Sequence, residues 1–220
     1  MTIQNQIICG ESNAILRDFP SNSVDLVVTD PPYLVGYKDR NGRTVENDTS
    51  PDAVLPVYKE LYRVLKRDSL CITFYGWHHI DQFAVAWREA GFKPVGQIVW
   101  AKPYASRSRY TAYHHESAYV LAKGRPPCPR TPLRDVQEWV YSGNRRHPTE
   151  KAVDILTPLI KAYSRQGDLV LDPFAGSGST AVAASLLGRR YVGIELEKAY
   201  CALARQRLAG VSRWEERAAA

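Results

Sequence analysis

The chain has 220 residues, 45% of them hydrophobic and 24% charged. Such a chain buries roughly 70% of its unfolded surface in one sizeable core. That composition excludes disordered, collagen-like and repeat architectures, and the longest nearly apolar runs, 70–75 and 181–187, are far too short to cross a bilayer as helices. The net charge of +6 is concentrated. Residues 93–147 carry ten basic side chains against three acidic ones, a local +7, while the remainder sums to −1. A basic excess on one stretch fits a polyanionic partner, because cations near phosphates release condensed counterions; a merely solvated basic surface explains it equally well.

In chain order, Gln4 to Cys9 and Val24 to Thr29 read as strands around a helix-like stretch, Asn13 to Asp18. Helix Asp52 to Lys66, strand Leu70 to Tyr75, helix Ile80 to Ala90, strand Pro94 to Trp100 and strand Ser117 to Ala122 follow. Between Gly124 and Pro148, five prolines and several arginines interrupt the rhythm, as in an inserted recognition element. Helix Ala152 to Tyr163, strand Leu169 to Leu171, helix Thr180 to Leu187, strand Tyr191 to Ile194 and helix Lys198 to Leu208 restore it, and Trp214 to Ala220 reads as peripheral. The alternation predicts an α/β fold, a doubly wound, mostly parallel sheet with helices on both faces, in a single domain spanning 1–220. The opening residues lack the basic and apolar segment of a secretory signal, which points to the cytoplasm. Cys9, Cys71, Cys128 and Cys201 are too scattered for a C-x-x-C pair and are read as free thiols. The doublets His78-His79 and His114-His115 make poor metal sites, since adjacent side chains point apart; no metal is expected.

Ligands of open α/β sheets bind beyond the carboxyl ends of strands. Two such positions hold unusual sequences. Asp30-Pro31-Pro32-Tyr33 follows the second strand; its prolines remove amide donors and leave carboxylate and carbonyl acceptors beside an aromatic ring. That suits a flat group bearing an N–H₂. A plain Pro-Pro turn is the bland alternative, but this string should arise by chance in only on the order of one such chain in a thousand. The second position is Asp172-Pro173-Phe174-Ala175-Gly176-Ser177-Gly178, a glycine-rich turn between strand and helix. Glu195, 19 residues after Gly176, ends the next strand, where a carboxylate can accept from ribose hydroxyls. The glycines also satisfy G-x-G-x-x-A, so an NAD-linked oxidoreductase is a rival reading. It leaves the receptor turn without a task, and 42 residues after Gly178 give no room for a second nucleotide-binding half.

DPPY at 30–33 together with DLVLDPFAGSGST at 168–180 resembles the amino-methylating DNA methyltransferases that use S-adenosylmethionine. The order of the two elements, with a basic segment between them, is similar to the circularly permuted beta group, whose fold is Rossmann-like. The likeness extends to LYRVLKRDS at 61–69, IVWAKP at 98–103, HHESAYVLAKG at 114–124, HPTEKAVDIL at 147–156 and RRYVGIELEKAY at 189–200. It implies that Asp30, Pro31, Pro32 and Tyr33 are catalytic. It also implies that Gly10, Glu11, Asp30, His147, Thr149, Lys151, Asp172, Phe174, Ala175, Gly176, Gly178 and Glu195 hold the cofactor, with Asp172 near its methionine part, Glu195 on its ribose, and His147, Thr149 and Lys151 at its carboxylate. For that last trio a Thr149 helix cap with Glu150 and Lys151 solvated is the competing reading. The family's usual Gly-Asp is Gly10-Glu11 here, one methylene longer.

The expected activity is therefore methyl transfer from S-adenosylmethionine to the N6 amine of adenine in double-stranded DNA, with cytosine N4 the alternative. Asp at the first position of the tetrapeptide resembles the adenine members. Because N6 is inaccessible in a duplex, the base is expected to flip out and stack on Tyr33. Segment 101–147 would recognise DNA, with Lys102, Arg107, Arg109, Arg130, Arg134, Arg145 and Arg146 as contacts. A homodimer is expected, as the family often pairs subunits. No nuclease motif is visible, which fits a solitary modification enzyme as well as the partner of a restriction enzyme.

Overall fold

The computed structural model describes residues 4–39, 41–106, 110–144 and 146–218. Eight strands form one sheet in the order β1-β8-β7-β2-β3-β5-β4-β6. They are β1 (Gln6–Cys9), β2 (Val24–Thr29), β3 (Leu65–Phe74), β4 (Lys93–Ala101), β5 (His115–Lys123), β6 (Val136–Glu138), β7 (Leu169–Asp172) and β8 (Arg190–Glu195). Pairing is parallel except where β5 lies antiparallel between β3 and β4.

Both faces of the sheet are covered, as its near-continuous apolar strands require. Along β2, Val27 packs into one core, with Leu16 of α1 (Ser12–Arg17), Leu61 of α3 (Val57–Val64) and Trp87 of α4 (Ile80–Ala90). Its neighbours Leu26 and Val28 point the other way. They meet Ile155, Leu159 and Ile160 of α5 (Val153–Tyr163) and Ala183 and Ala184 of α6 (Ser179–Leu186). A third cluster joins Ile7 and Ala181 to Cys201, Ala204 and Leu208 of α7 (Lys198–Ala218).

Four sequence expectations change. The helix expected over 52–66 is two, α2 (Pro51–Val54) and α3, because Pro56 has no amide to continue the first and instead caps the second. The strand expected from Leu70 starts at Leu65; Asp68 at φ +58° makes an irregularity between the pairs Val24–Leu65 and Leu26–Leu70. Segment 101–147 is not one inserted unit either: His115–Lys123 runs through the middle of the sheet, buried at Ala118, Val120 and Leu121, so only the stretches on either side of it lie outside the core. The terminal helix continues to Ala218, into the stretch read as a tail. No helix among the described residues is long and apolar enough to cross a membrane.

The chain leaves β2 for β3 on one side and leaves β7 for β8 on the other, although β2 and β7 are neighbours. Their carboxyl ends therefore flank a topological switch point, where a crevice must open.

Candidate active site

Both unusual turns open into that crevice. One cleft of about 1600 Å³ is lined by Asp30, Pro31, Pro32 and Tyr33 from the end of β2, by Phe174 and Gly176 after β7, and by Glu195 at the end of β8. The sheet topology brings together segments more than 140 residues apart in sequence.

At the receptor turn, Asp30 is held from two sides. Lys151 Nζ lies 2.7 Å from Asp30 Oδ2, and the Tyr33 hydroxyl donates to Asp30 Oδ1 at 2.8 Å. Lys151 also donates to the Tyr33 oxygen at 3.2 Å and sits 4.7 Å from the Phe74 ring centroid. On the far side, Glu116 Oε2 lies 3.5 Å from the Tyr33 hydroxyl, and Glu116 Oε1 is 2.6 Å from Lys102 Nζ. Burial pushes the Asp30 carboxyl up, and Lys151 opposes that push. Burial would depress the Lys151 ammonium, but the charges of Asp30 and Glu116 outweigh it and hold the pKa above its ordinary value. Glu116 is likewise desolvated, yet Lys151 and Lys102 bring it below the usual carboxylate range. Desolvation and the two neighbouring carboxylates drive the Tyr33 phenol well up, so it remains a donor. Two carboxylates and two ammoniums thus form a buried, charge-balanced row beside the acceptor turn.

At the glycine turn, Glu195 accepts from Gly176 N at 2.8 Å and from Glu197 N at 2.7 Å, one bond per carboxylate oxygen. A carboxylate offers about four acceptor sites, so room remains for a diol. Gly176, at φ +50°, faces the His147 ring, which a Cβ on it would approach to 3.5 Å. Ala175 N bonds to Ile194 O at 2.9 Å, and Gly10 N to Glu195 O at 2.9 Å, which ties β1, β8 and the turn together. Asp172 sits behind the turn, fully buried, its pKa raised to about 7 by desolvation although its Oδ1 accepts from Phe174 N at 3.1 Å. Gly178 lies outside the cleft lining: a Cβ there would stand 2.8 Å from Ala204 Cβ, so it serves the close approach of α6 to α7. Glu11 lines the cleft but spends its carboxylate on capping α1 through Asn13 N and Ala14 N.

The HPTEK segment departs most from its simple readings. Its helix begins only at Val153, with no side-chain cap, Glu150 is buried, and the Lys151 side chain is only 9% exposed. The capped, solvated alternative is therefore overturned. Lys151 lines the cleft and is paired to Asp30. Thr149 Oγ1 lies 3.2 Å from His147 Nδ1, and His147 packs edge-on against Tyr200 at 4.4 Å. Desolvation, with Arg43 and Lys151 nearby, lowers its pKa to about 4, so the ring is neutral near pH 7. Glu150 answers Arg146 at 3.2 Å and Arg207 at 3.6 Å.

Of the arginines expected at DNA, Arg130, Arg134 and Arg146 are exposed; Arg107, Arg109 and Arg145 lie outside the described residues. Lys102 must be reassigned. It is 7% exposed, and its ammonium is engaged by Glu116 and by Ser106 at 2.6 Å, turned inward rather than toward a phosphate. Three features escaped the sequence reading. One is Glu116, an acid inside the basic segment whose importance appears only when β5 pairs with β3 beside β2. Another is the strap 34–50, in which Asp48 accepts from Leu34 N at 2.8 Å and Tyr37 N at 2.6 Å, while Arg43 reaches Asn144 O at 2.9 Å. The third is an aromatic group at the cleft rim, where Trp77 stacks on His78 at 3.8 Å and lies 5.3 Å from Tyr113. Among the described residues no three His, Cys, Asp or Glu side chains group as a metal site.

Comparison with known proteins agrees with this geometry. The chain is 51% identical over 216 residues, 98% of its own length and 95% of the other's, to "Putative methylase YubD" of Escherichia coli (strain K12). It matches the crystal structure of a "Putative DNA Modification Methylase" from Thermus thermophilus, complexed with S-adenosyl-L-methionine, with a TM-score of 0.73 and 26% identity over 94% of each chain. The cytosine-N4-specific PvuII DNA methyltransferase shares the fold alone, with a TM-score of 0.75 at 18% identity over 96% of this chain and 92% of that one. A family model described as DNA methylase, covering the N6 and N4 amino-methyltransferases, matches residues 24–206. With the receptor turn, the glycine turn and nearly the whole sheet inside that match, the chain belongs to the DNA methylase family.

Proposed function

We propose that this protein transfers the methyl group of S-adenosylmethionine to the N6 amine of an adenine flipped out of double-stranded DNA. The observation that carries the reading is the single cleft shared by the Asp30 turn and the Gly176 turn. The residues present suit the cofactor. Glu195 has acceptor sites to spare for a ribose, Phe174 and Ile194 offer apolar walls, and the missing Gly176 side chain leaves the space beside His147 open. Glu195, Phe174, Ala175 and Gly176 would hold the nucleoside, with Gly10 and Glu11 at its edge and His147 and Thr149 above it. Once bound, S-adenosylmethionine supplies an electrophilic methyl carbon.

The protein's own task is to make an amine nucleophilic. An adenine N6 lone pair is delocalised into the ring, and acceptors at Asp30 and the Pro31 carbonyl can draw its hydrogens out of the ring plane. The lone pair is then free for in-line attack. Lys151 keeps the Asp30 carboxylate charged although burial disfavours it. As the new bond forms the amine loses a proton, for which Asp30 is the acceptor at hand. Tyr33 offers its ring as the stacking face. Exposed Arg130, Arg134 and Arg146, with Arg107, Arg109 and Arg145, would hold backbone phosphates.

Cytosine N4 presents the same chemistry, and the shared fold of a cytosine-N4-specific enzyme keeps that reading in play. The deciding experiment incubates the protein with DNA and isotopically methyl-labelled S-adenosylmethionine, then digests the DNA and weighs the nucleosides. Labelled N6-methyladenine is expected. Labelled N4-methylcytosine would establish the second reading, and no labelled nucleoside would overturn both.

A further inference from the structure

The Tyr33 hydroxyl has one proton and two carboxylates within reach, Asp30 at 2.8 Å and Glu116 at 3.5 Å. In the conformation described it caps Asp30 Oδ1 while Lys151 occupies Oδ2. Each oxygen of the receptor thus already accepts one strong donor; a lone pair remains on Oδ1, but an amine arriving there must share that oxygen with the Tyr33 hydroxyl, and a shared acceptor holds each donor less strongly. Among the described residues Glu116 has no comparably close partner on Oε2, while Lys102 holds it through Oε1. Lys102 itself is fixed: its backbone amide donates to His114 O at 2.7 Å, its ammonium is braced by Ser106, and Trp139 lies 5.3 Å beneath it. The second carboxylate therefore stands at the end of the β4–β5 pair, next to the hydroxyl that competes for the first.

We propose that Glu116 is a positioning residue which takes over the Tyr33 hydroxyl when the target base enters, releasing Asp30 Oδ1 for the exocyclic amine. The proposal rests on the amine-methylating function argued above. It makes Lys102 part of the same device, as the group that keeps Glu116 in place and ionised. No covalent step is involved. One O–H···O bond is exchanged for another, and the Tyr33 ring stays at the stacking position. This acid lies in the family-like stretch 114–124 but belongs to neither recognised turn.

Four proteins test it: the wild type, Glu116→Gln, Tyr33→Phe and the double variant, each assayed for kcat and for KM toward S-adenosylmethionine on one DNA substrate. In Glu116→Gln the Lys102 ammonium claims the amide oxygen and the NH₂ faces the Tyr33 hydroxyl, so the alternative acceptor is lost and kcat should fall about tenfold with the cofactor KM unchanged. With Phe at 33 no hydroxyl competes for Asp30, and the same change should then cost less than about twofold, a coupling that a purely structural Glu116 would not give. Equal losses in both backgrounds, or no loss with Tyr33 present, would overturn the proposal. Should Glu116→Gln fold poorly, the neutral pair Lys102→Met with Glu116→Leu removes the carboxylate without stranding the ammonium, and the same background dependence is expected. Wild-type protein that methylates no nucleoside would sink the functional reading and this device together, a result distinct from an active enzyme whose variants show no coupling.

Discussion

Lys151 shows how much of the site's chemistry rests on single buried charges. Breaking a buried pair by removing one partner typically costs about 3–5 kcal/mol, since the survivor is left uncompensated. Lys151→Met should therefore lower stability by an amount in that range, read from denaturant unfolding. It should also move the activity profile in a definite direction. On the proposed mechanism Asp30 works as a carboxylate; burial raises its pKa and Lys151 restrains the rise, so without the ammonium ionisation needs a higher pH and the acid limb of kcat should shift upward. An unshifted limb would show that Lys151 does not sustain the Asp30 charge. Asp172 gives a second test. An acid whose pKa is higher folded than unfolded holds its proton more tightly in the native state. Its contribution to stability is present below its ordinary value of 3.8 and is lost as pH rises toward about 7. Asp172→Asn keeps an acceptor for Phe174 N and removes the titration, so it should stabilise the protein at pH 8 relative to wild type, by on the order of 2 kcal/mol, and much less at pH 4. Equal effects at both pH values would contradict this. At this scale the sequence named Asp30, Tyr33, Gly176 and Glu195 correctly as neighbours, because short motifs at strand ends carry their position with them. It misdirected Lys102 and passed over Glu116, because a charge's partner is set by which strands pair, and the pairing of β5 between β3 and β4 is written in no local pattern.

At the level of elements, the receptor turn is shaped by what lies beneath it. Gly76, between β3 and the short 3₁₀ turn Trp77–His79, runs so close to Tyr33 that a Cβ on it would stand 2.6 Å from the Tyr33 carbonyl oxygen. Backbone cannot yield as a flexible side chain does, so Gly76→Ala should displace the turn and cost about 1–3 kcal/mol of stability. Methyl transfer should fall about tenfold or more, while affinity for S-adenosylmethionine, whose expected contacts are on β7 and β8, should change little. A loss of cofactor affinity equal to the loss of rate would show that the two turns are not separable. The alternation of elements was legible in the apolar periodicity, and six strands were placed within a few residues. What the periodicity missed followed from local breaks: Pro56 splitting a helix, and the positive φ of Asp68 allowing β3 to begin five residues early.

Across the whole molecule, the sheet order converts two distant motifs into one cleft, and from the basic stretch 93–147 Arg130, Arg134 and Arg146 are exposed. Replacing Arg130, Arg134 and Arg146 together by Ala should weaken DNA binding at all sequences and reduce the slope of log K against log salt by about one per lost phosphate contact. An unchanged slope would place these arginines away from the DNA. The central claim is that the Asp30 turn activates the amine while the glycine turn separately holds the cofactor, and one variant addresses it directly. Asp30→Ala should bind S-adenosylmethionine in calorimetry with an affinity close to wild type, and yet transfer label to DNA at least about a hundredfold more slowly. Substantial transfer by that variant would contradict the account.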